Sequence, residues 1–330
     1  MKSSYKPPFT ITSEIVNLVA KIAAAVERLT FMKEPNLRLR KINRIKTIQG
    51  SLAIEGNTLS ESLITDFLEG KHIVAPLREI QEVKNAIKTY DAFASLNPYL
   101  VKDLLKAHGL MMEALVDDAG HFRRGGVGVF SGTRAVHIAP PAHRVPLLMD
   151  DLFGWLKGSD DHLLLKSCVF HYEFEFVHPF SDGNGRMGRL WQSLVLTQLH
   201  PIFAHLPVEN IVFQHQQQYY EAINQSTGAA DCAFFVEFML EKILDTLRKR
   251  QGEPLKEIAN GVANGVVNGV VKPVYDFIAQ NEGCRKPLIA RHTHIPIKTV
   301  DKHIARLREM NKIIFVGAPK TGGYFIKTKE

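Results

Sequence analysis

The stretch "ANGVANGVVNGVV", residues 259–271, constrains the fold of this chain more than any other. It repeats an Asn-Gly-Val unit three times. Each Asn-Gly is a turn signal, and so simple a sequence has little with which to fill a core. Units this short cannot stack as a solenoid. The stretch therefore reads as a tether, and the 330-residue chain is expected to fold as one large body before it and one small body after it. With 45% hydrophobic residues, both bodies have material for a core.

Charge is divided in a related way. Of a net +7, residues 1–50 carry ten Lys/Arg against three Asp/Glu, and residues 272–330 carry twelve against five. The segment between is therefore −7 (7 − 7 − 7). If the chain meets a polyanion, its ends should do so; the alternative is a solvated basic surface. Cys168, Cys232 and Cys284 are far apart and form no CxxC pair, which suits buried thiols in a reducing compartment. The stretch "MKSSYKPPFTITSE" has no apolar run of signal-peptide length, and no segment reaches the roughly 20 apolar residues of a membrane span. The expectation is a cytoplasmic protein with no membrane contact.

Most of residues 11–250 reads as helix, with apolar residues at helical spacing, as in Ile15, Leu18, Val19 and Ile22. A basic, then apolar segment at 36–55 stops at Gly56, and Thr58 with Glu61 is spaced as a capping box for the next helix. Further helices are expected at 60–69, 76–95, 99–117, 143–157, 159–176, 183–199, 214–226 and 231–250. Residues 120–142 break the pattern with glycines, β-branched residues and Pro-Pro, and read as a hairpin flap. After the tether come three short helical patterns and two strand patterns around a Gly/Pro turn. The third helix is expected to bury Ile297, Val300, Ile304 and Leu307 on one face. This order resembles a winged-helix domain, whose third helix would turn Lys298, Thr299, Lys302 and Arg306 outward, toward DNA or toward a protein.

The densest chemistry lies in "HPFSDGNGRMGR", residues 178–189. Its glycines fall where a helix begins, and helix N-terminal N–H groups bind phosphate. Arg186 and Arg189 are three apart, on one helical face, and can clamp a polyphosphate. Asp182 is an oxygen ligand of the kind Mg²⁺ takes alongside phosphate. His178 can accept a proton near neutral pH. There is no P-loop sequence. His171 and His178 lack a clustered ligand set for a metal hydrolase, so His171 reads as a core or supporting residue.

"HPFSDGNGRMGR" resembles the signature H-x-F-x-[DE]-G-N-G-R-x-x-R of the Fic family at every position, and "GHFRR" and "YYEAI" (219–223) extend the likeness over most of residues 1–250. The resemblance implies a mainly α fold: a helical Fic core with a β-hairpin flap, here followed by a small winged helix-turn-helix domain of α+β type. It implies transfer of AMP from ATP, with Mg²⁺, to a hydroxyl of a target protein or of the chain itself. His178 would be the general base, Phe180 the buried anchor and Asp182 the metal ligand. Gly183, Asn184 and Gly185 would line the anion hole, with Arg186 on the β-phosphate and Arg189 on the γ-phosphate. Ser131, Gly132, Thr133, Arg134, Ala135, Val136, His137 and Ile138 would dock the target in strand fashion. Tyr219 and Tyr220 would either approach the adenine or pack between helices.

"SLAIEGN" resembles the family's inhibitory motif [ST]-x-x-x-E-[GN]. Ser51 and Glu55 stand one helical turn apart, and the resemblance implies that Glu55 pairs with Arg189 and takes the γ-phosphate's place. In a bifunctional relative the same glutamate would orient water for AMP removal. The expected layout is an N-terminal helical region at 1–110 with the inhibitory helix at about 42–56, a Fic core at 111–250, a linker at 251–271 and the winged helix at 272–330. A DNA-binding regulator with a nucleotide-sensing core is the alternative function, and the resemblance leaves a homodimer open.

Overall fold

The computed structural model describes residues 5–30, 37–131, 134–206, 208–251, 272–293, 295–309, 312–316 and 322–327. The chain divides into two compact units, Met1–Leu255 and Lys256–Glu330. Residues 252–271, which hold the Asn-Gly-Val repeats, lie outside the described residues. Gln251 ends a helix rather than opening a linker.

The first unit is helical: α1 (Ser13–Thr30), α2 (Leu37–Ile54), α3 (Glu61–Leu68), α4 (Leu77–Ala92), α5 (Val101–Met111), α6 (Val145–Gly158), α7 (Leu163–Val177), α8 (Asn184–Thr197), α9 (Val208–Gln214), α10 (Gln216–Ala229) and α11 (Ala233–Gln251). Helix α7, "LLLKSCVFHYEFEFV", is the centre of the unit. Its Leu164 to Phe174 are buried without a break, so it shows no polar face, as expected for a helix surrounded by protein. It packs along α8, where Met187 to Leu196 are all buried. Helix α1 has the opposite character: Ile15, Leu18, Ile22 and Ala25 form one buried stripe, laid against α11. The segment ahead of α1 is tied down by Tyr5 to Glu173, by the Cys232 N–H to Pro8 O, and by Thr10 to Asp231.

Between α5 and α6 lies the expected hairpin, β1 (Gly128–Ser131) antiparallel to β2 (Arg134–Ile138), with a bulge between Val129 and Phe130. Gly132 and Thr133 of the expected docking flap lie outside the described residues, as do the side chains of its other members.

Four local expectations are corrected. Thr58 does not cap α3. Its N–H and hydroxyl both bind the Glu79 carboxylate, and Ser60 caps the helix by accepting the Leu63 N–H. The helix expected to run to 117 ends at Met111. The chain there turns through Ala114 at φ 58° and Gly120 at φ 81°, whose Cα closes onto Gly109. Helix α9 matches no sequence expectation, because seven residues are too few to show a period. Ile297 is not part of the buried face: it is 47% exposed.

The second unit has α12 (Lys272–Gln280), α13 (Lys286–Thr293), α14 (Ile297–Glu309) and an antiparallel pair, β3 (Ile313–Val316) with β4 (Gly323–Ile326). Its core joins Val274, Ile278, Ile289, Val300, Ile304, Leu307, Ile313 and Tyr324. Lys302 is exposed at the surface of α14, and Thr299 is half-buried. The side chains of Lys298 and Arg306 lie outside the described residues.

Candidate active site

The site is built where α7 stops and α8 starts. His178 caps α7 in the left-handed conformation, φ 49° and ψ 63°, uncommon for a residue with a side chain. Its N–H still reaches back to Phe174 O at 2.9 Å, and Pro179 forbids any further turn of helix. Its Nδ1 lies 3.4 Å from Glu175 O. Phe180 then dives into the core, stacked on His108 at 3.6 Å between ring centroids. The Asn184 side chain closes the loop: it accepts the Phe180 N–H and donates to the Phe180 carbonyl, both at 2.9 Å. Asn184 thus holds the loop through its side chain, and only its backbone belongs to the helix N-terminus. Gly183 takes φ 84°, which favours glycine, and a Cβ there would stand 2.7 Å from Met112 Sδ and press on that side chain.

Two residues outside the motif brace this loop. The Arg123 guanidinium donates to the carbonyls of His178 (2.7 Å), Gly125 (2.9 Å), Pro140 (2.5 Å) and Val177 (3.3 Å). Its own N–H binds Pro179 O. His108 accepts the Gly120 N–H at Nδ1, so Nε2 carries the proton and donates to Asp182 O at 3.1 Å. Burial pushes the His108 pKa down to about 4, so the ring stays neutral. Neither residue was singled out from sequence. Arg123 lay within "GHFRR", but main-chain carbonyl partners leave no mark in a sequence.

On α8, Arg186 and Arg189 are buried, at 2% and 1% exposure. Arg186 Nη2 reaches Asp182 Oδ1 at 3.1 Å, while its Nε and Nη1 have no hydrogen-bond partner. Glu82 Oε1 stands 4.0 Å from that Nη1. Arg189 Nη2 donates to Glu55 Oε1 at 2.7 Å and to the main-chain oxygen of Ser51 at 3.2 Å, and its Nε is likewise unpartnered. Burial would lower the Arg189 pKa, but the Glu55 charge outweighs it and keeps the guanidinium firmly protonated. Buried guanidinium donors without partners are rare in folded proteins and mark a place where an anion fits.

Glu55 is delivered by the end of α2. Its N–H closes a tight turn to Leu52 O, and Gly56 at φ 92° swings the chain away. The turn is pinned by Asn57, which donates to Glu82 Oε2 at 2.8 Å, and by Gln216, which donates to Ile54 O at 3.3 Å. Gly185 leaves the room: a Cβ there would meet Glu55 Oε1 at 2.7 Å and Arg189 Nη1 at 2.8 Å. Ser51 contributes its carbonyl to this contact.

Asp182 receives the Gly183 N–H and Arg186 on Oδ1 and faces Arg78 with Oδ2 at 3.5 Å; its side chain is 41% exposed. Among the described residues there is no group of three or more His, Cys, Asp and Glu that could hold a metal. A lone carboxylate beside unfilled phosphate-type donors fits Mg²⁺ carried in by a nucleotide, not a dedicated protein cage. His171 is buried, with Nδ1 bound to Gln192 and Nε2 to the Tyr219 hydroxyl. Burial lowers its pKa to about 3. Tyr219 is accordingly a core residue, whereas Tyr220 is 47% exposed.

This geometry has counterparts. Residues 97–196 match the model of the Fic/DOC family. A crystal structure of a Fic family protein from Desulfovibrio desulfuricans G20 is 41% identical, covers 99% of both chains and superposes with a TM-score of 0.72. The chain belongs to the Fic family. Fic-1 from C. elegans, 19% identical over 72% of this chain and 71% of its own, shares the fold with a TM-score of 0.58. Among curated relatives, the protein adenylyltransferase Fic of Culex quinquefasciatus is 32% identical over 62% of this chain and 41% of its own length. That of Nematostella vectensis is 29% identical over 62% and 48%. The chain thus spans about half the length of the curated relatives it matches.

Proposed function

We propose that this chain is a self-inhibited protein adenylyltransferase. The observation that carries the reading is the pair of buried arginines, three residues apart, with one already closed by Glu55 and both keeping unpartnered donors. Support also comes from the names of its relatives, protein adenylyltransferase Fic.

In this reading Arg186 and Arg189 hold the β- and γ-phosphates of ATP, and the backbone of Gly183, Asn184 and Gly185 meets the phosphate chain at the start of α8. Asp182 would hold Mg²⁺, which when bound neutralises phosphate charge. The paired strands β1 and β2 offer an edge to an extended target segment, using main-chain hydrogen bonds. A target Ser, Thr or Tyr hydroxyl gives its proton to His178 as its oxygen bonds to the α-phosphorus. The α–β phosphoanhydride bond breaks, and pyrophosphate leaves with that electron pair. Arg123 and Asn184 serve by holding the loop that carries His178.

The ion pair with Glu55 makes this a closed form. While it stands, the γ-phosphate lacks its clamp, and a misplaced α-phosphate cannot meet the incoming oxygen in line. Transfer of label from α-labelled ATP to protein tests the assignment. Glu55→Gly is expected to label strongly and Glu55→Gly/His178→Ala not at all; equal labelling by both would refute it.

For the second unit we infer a winged helix that contacts DNA, with Lys298, Thr299, Lys302 and Arg306 on its third helix. The order of three helices and a strand pair supports this, as does the +7 charge of residues 272–330.

A further inference from the structure

Arg189 poses a problem whenever the latch opens. A guanidinium that is 1% exposed cannot easily stand without an opposing charge, because little water reaches it. Between the departure of Glu55 and the arrival of a phosphate, something else must balance it. We propose that Glu175 is that standing counter-ion, a positioning residue that neutralises and orients Arg189 from the protein side once Glu55 withdraws. The inference rests on the reading of Arg189 as a phosphate clamp shared with Glu55.

Four observations converge on Glu175. It sits on α7, three residues before His178, and its Oε1 is buried without a hydrogen-bond partner. That oxygen lies 3.7 Å from His171 Nε2, but the Nε2 lone pair there takes the Tyr219 hydroxyl, so His171 offers it no proton. On α8, the residue beside Arg189 is Gly188, where a Cβ would stand 2.7 Å from Glu175 Oε1. The surface of α8 is therefore notched there, for this carboxylate and for the His171 ring beside it. Arg189 Nε, for its part, is buried and unpartnered. An unused carboxylate oxygen and an unused guanidinium N–H share one interior, and each lies in the other's field.

The groups that face Glu175 explain why it waits. Arg189 on α8 favours its ionised form, while Glu55 at the end of α2 opposes it. Neutral His171 lies on its own helix, and Tyr219 and Tyr220 face it from α10. Burial, with the Glu55 charge against the pull of Arg189, pushes its pKa up to about 7. Glu175 is therefore partly protonated at neutral pH while the latch is closed. Removing Glu55 takes away one of the influences that raise it, so its pKa falls and it ionises when Arg189 loses its first partner.

A stability and binding cycle on the full-length protein tests this. Wild type, Glu55→Gly, Glu175→Gln and the double variant would be unfolded in urea without nucleotide at pH 7.5. Binding of a non-hydrolysable ATP analogue would then be measured by calorimetry from pH 6 to 8. Glu175→Gln is expected to lower the unfolding midpoint at least twice as far in the Glu55→Gly background as in wild type. It should tighten analogue binding there about tenfold, about 1.4 kcal/mol, since the γ-phosphate no longer competes with a carboxylate for Arg189. Affinity in Glu55→Gly should fall as pH rises and Glu175 ionises, because a phosphate, like Glu55, raises its pKa, and the double variant should lose that fall. Equal midpoint shifts in both backgrounds, or binding unchanged by Glu175→Gln, would overturn the proposal. Should the double variant fail to fold, adding Arg189→Met must restore folding, since it removes the unbalanced cation; failure to restore would also overturn it. None of these readouts involves AMP transfer. A protein that labels but shows no coupling rejects this inference alone, and coupling without labelling rejects the proposed function alone.

Discussion

Arg123→Ala should loosen the whole loop that carries His178. The guanidinium meets four carbonyls, three of them at 2.5–2.9 Å and two of them on residues 177 and 178, the last turn of α7 and its cap. Hydrogen bonds from a charged donor contribute roughly 1.5–3 kcal/mol each. They are not additive around one group, and water entering the gap would recover part of the loss, so about 3–4 kcal/mol is expected. For a unit of this size that corresponds to a fall in Tm of roughly 10 °C. Lysine keeps the charge but not the planar fork and should recover less than half. Both tryptophans, Trp155 and Trp191, lie in the first unit, so tryptophan fluorescence, excited where tyrosine does not absorb, reports that unit alone during urea unfolding. Under the proposed function, AMP transfer by Arg123→Ala should fall by about 100-fold, as expected where the base is displaced. A loss of stability below about 1 kcal/mol, or a lysine variant equal to wild type, would refute the reasoning, because neither is compatible with a multidentate clamp on the backbone.

The remaining predictions concern pH and the second unit. His108 resists protonation to about 4 in the folded protein, whereas an unfolded histidine takes its proton near 6.5. Its contribution is therefore present above pH 6.5 and lost as pH falls through 4, about 3 kcal/mol in all. Urea midpoints between pH 7 and 4.5 should fall more gently in His108→Gln than in wild type; parallel curves would contradict this. The full chain should retard duplex DNA with an affinity that falls as salt rises, and Lys302→Ala should reduce the salt slope by about one. No retardation at low salt would leave the second unit a protein-contact module.

What could be read beforehand was local. Arg186 and Arg189 share a face because helices repeat every 3.6 residues, and Gly183 announces its turn. Glu55 and Arg189 are 134 residues apart, and only the likeness of two short motifs to one family joined them. What stayed hidden depends on partners that sequence does not display. Thr58 and Ser60 are both plausible caps, and the choice falls to Ser60 because Glu79 draws Thr58 away. Arg123 and His108 act on main-chain atoms, which every residue has. Glu175 and Glu209 look like surface acids, yet burial raises both to about 7.

The central claim is that Glu55 holds the enzyme closed through Arg189. At an N–O separation of 2.7 Å the charges are about 4 Å apart, worth about 4 kcal/mol at an effective dielectric near 20. The Glu55 side chain is 33% exposed, and screening reduces the net effect to about 2 kcal/mol. The most direct measurement is the initial rate of AMP transfer from labelled ATP by Glu55→Gly relative to wild type, at matched protein and Mg²⁺. The account predicts a rise of about 30-fold. Equal rates would contradict it, for then the ion pair seen between Glu55 and Arg189 would restrain nothing.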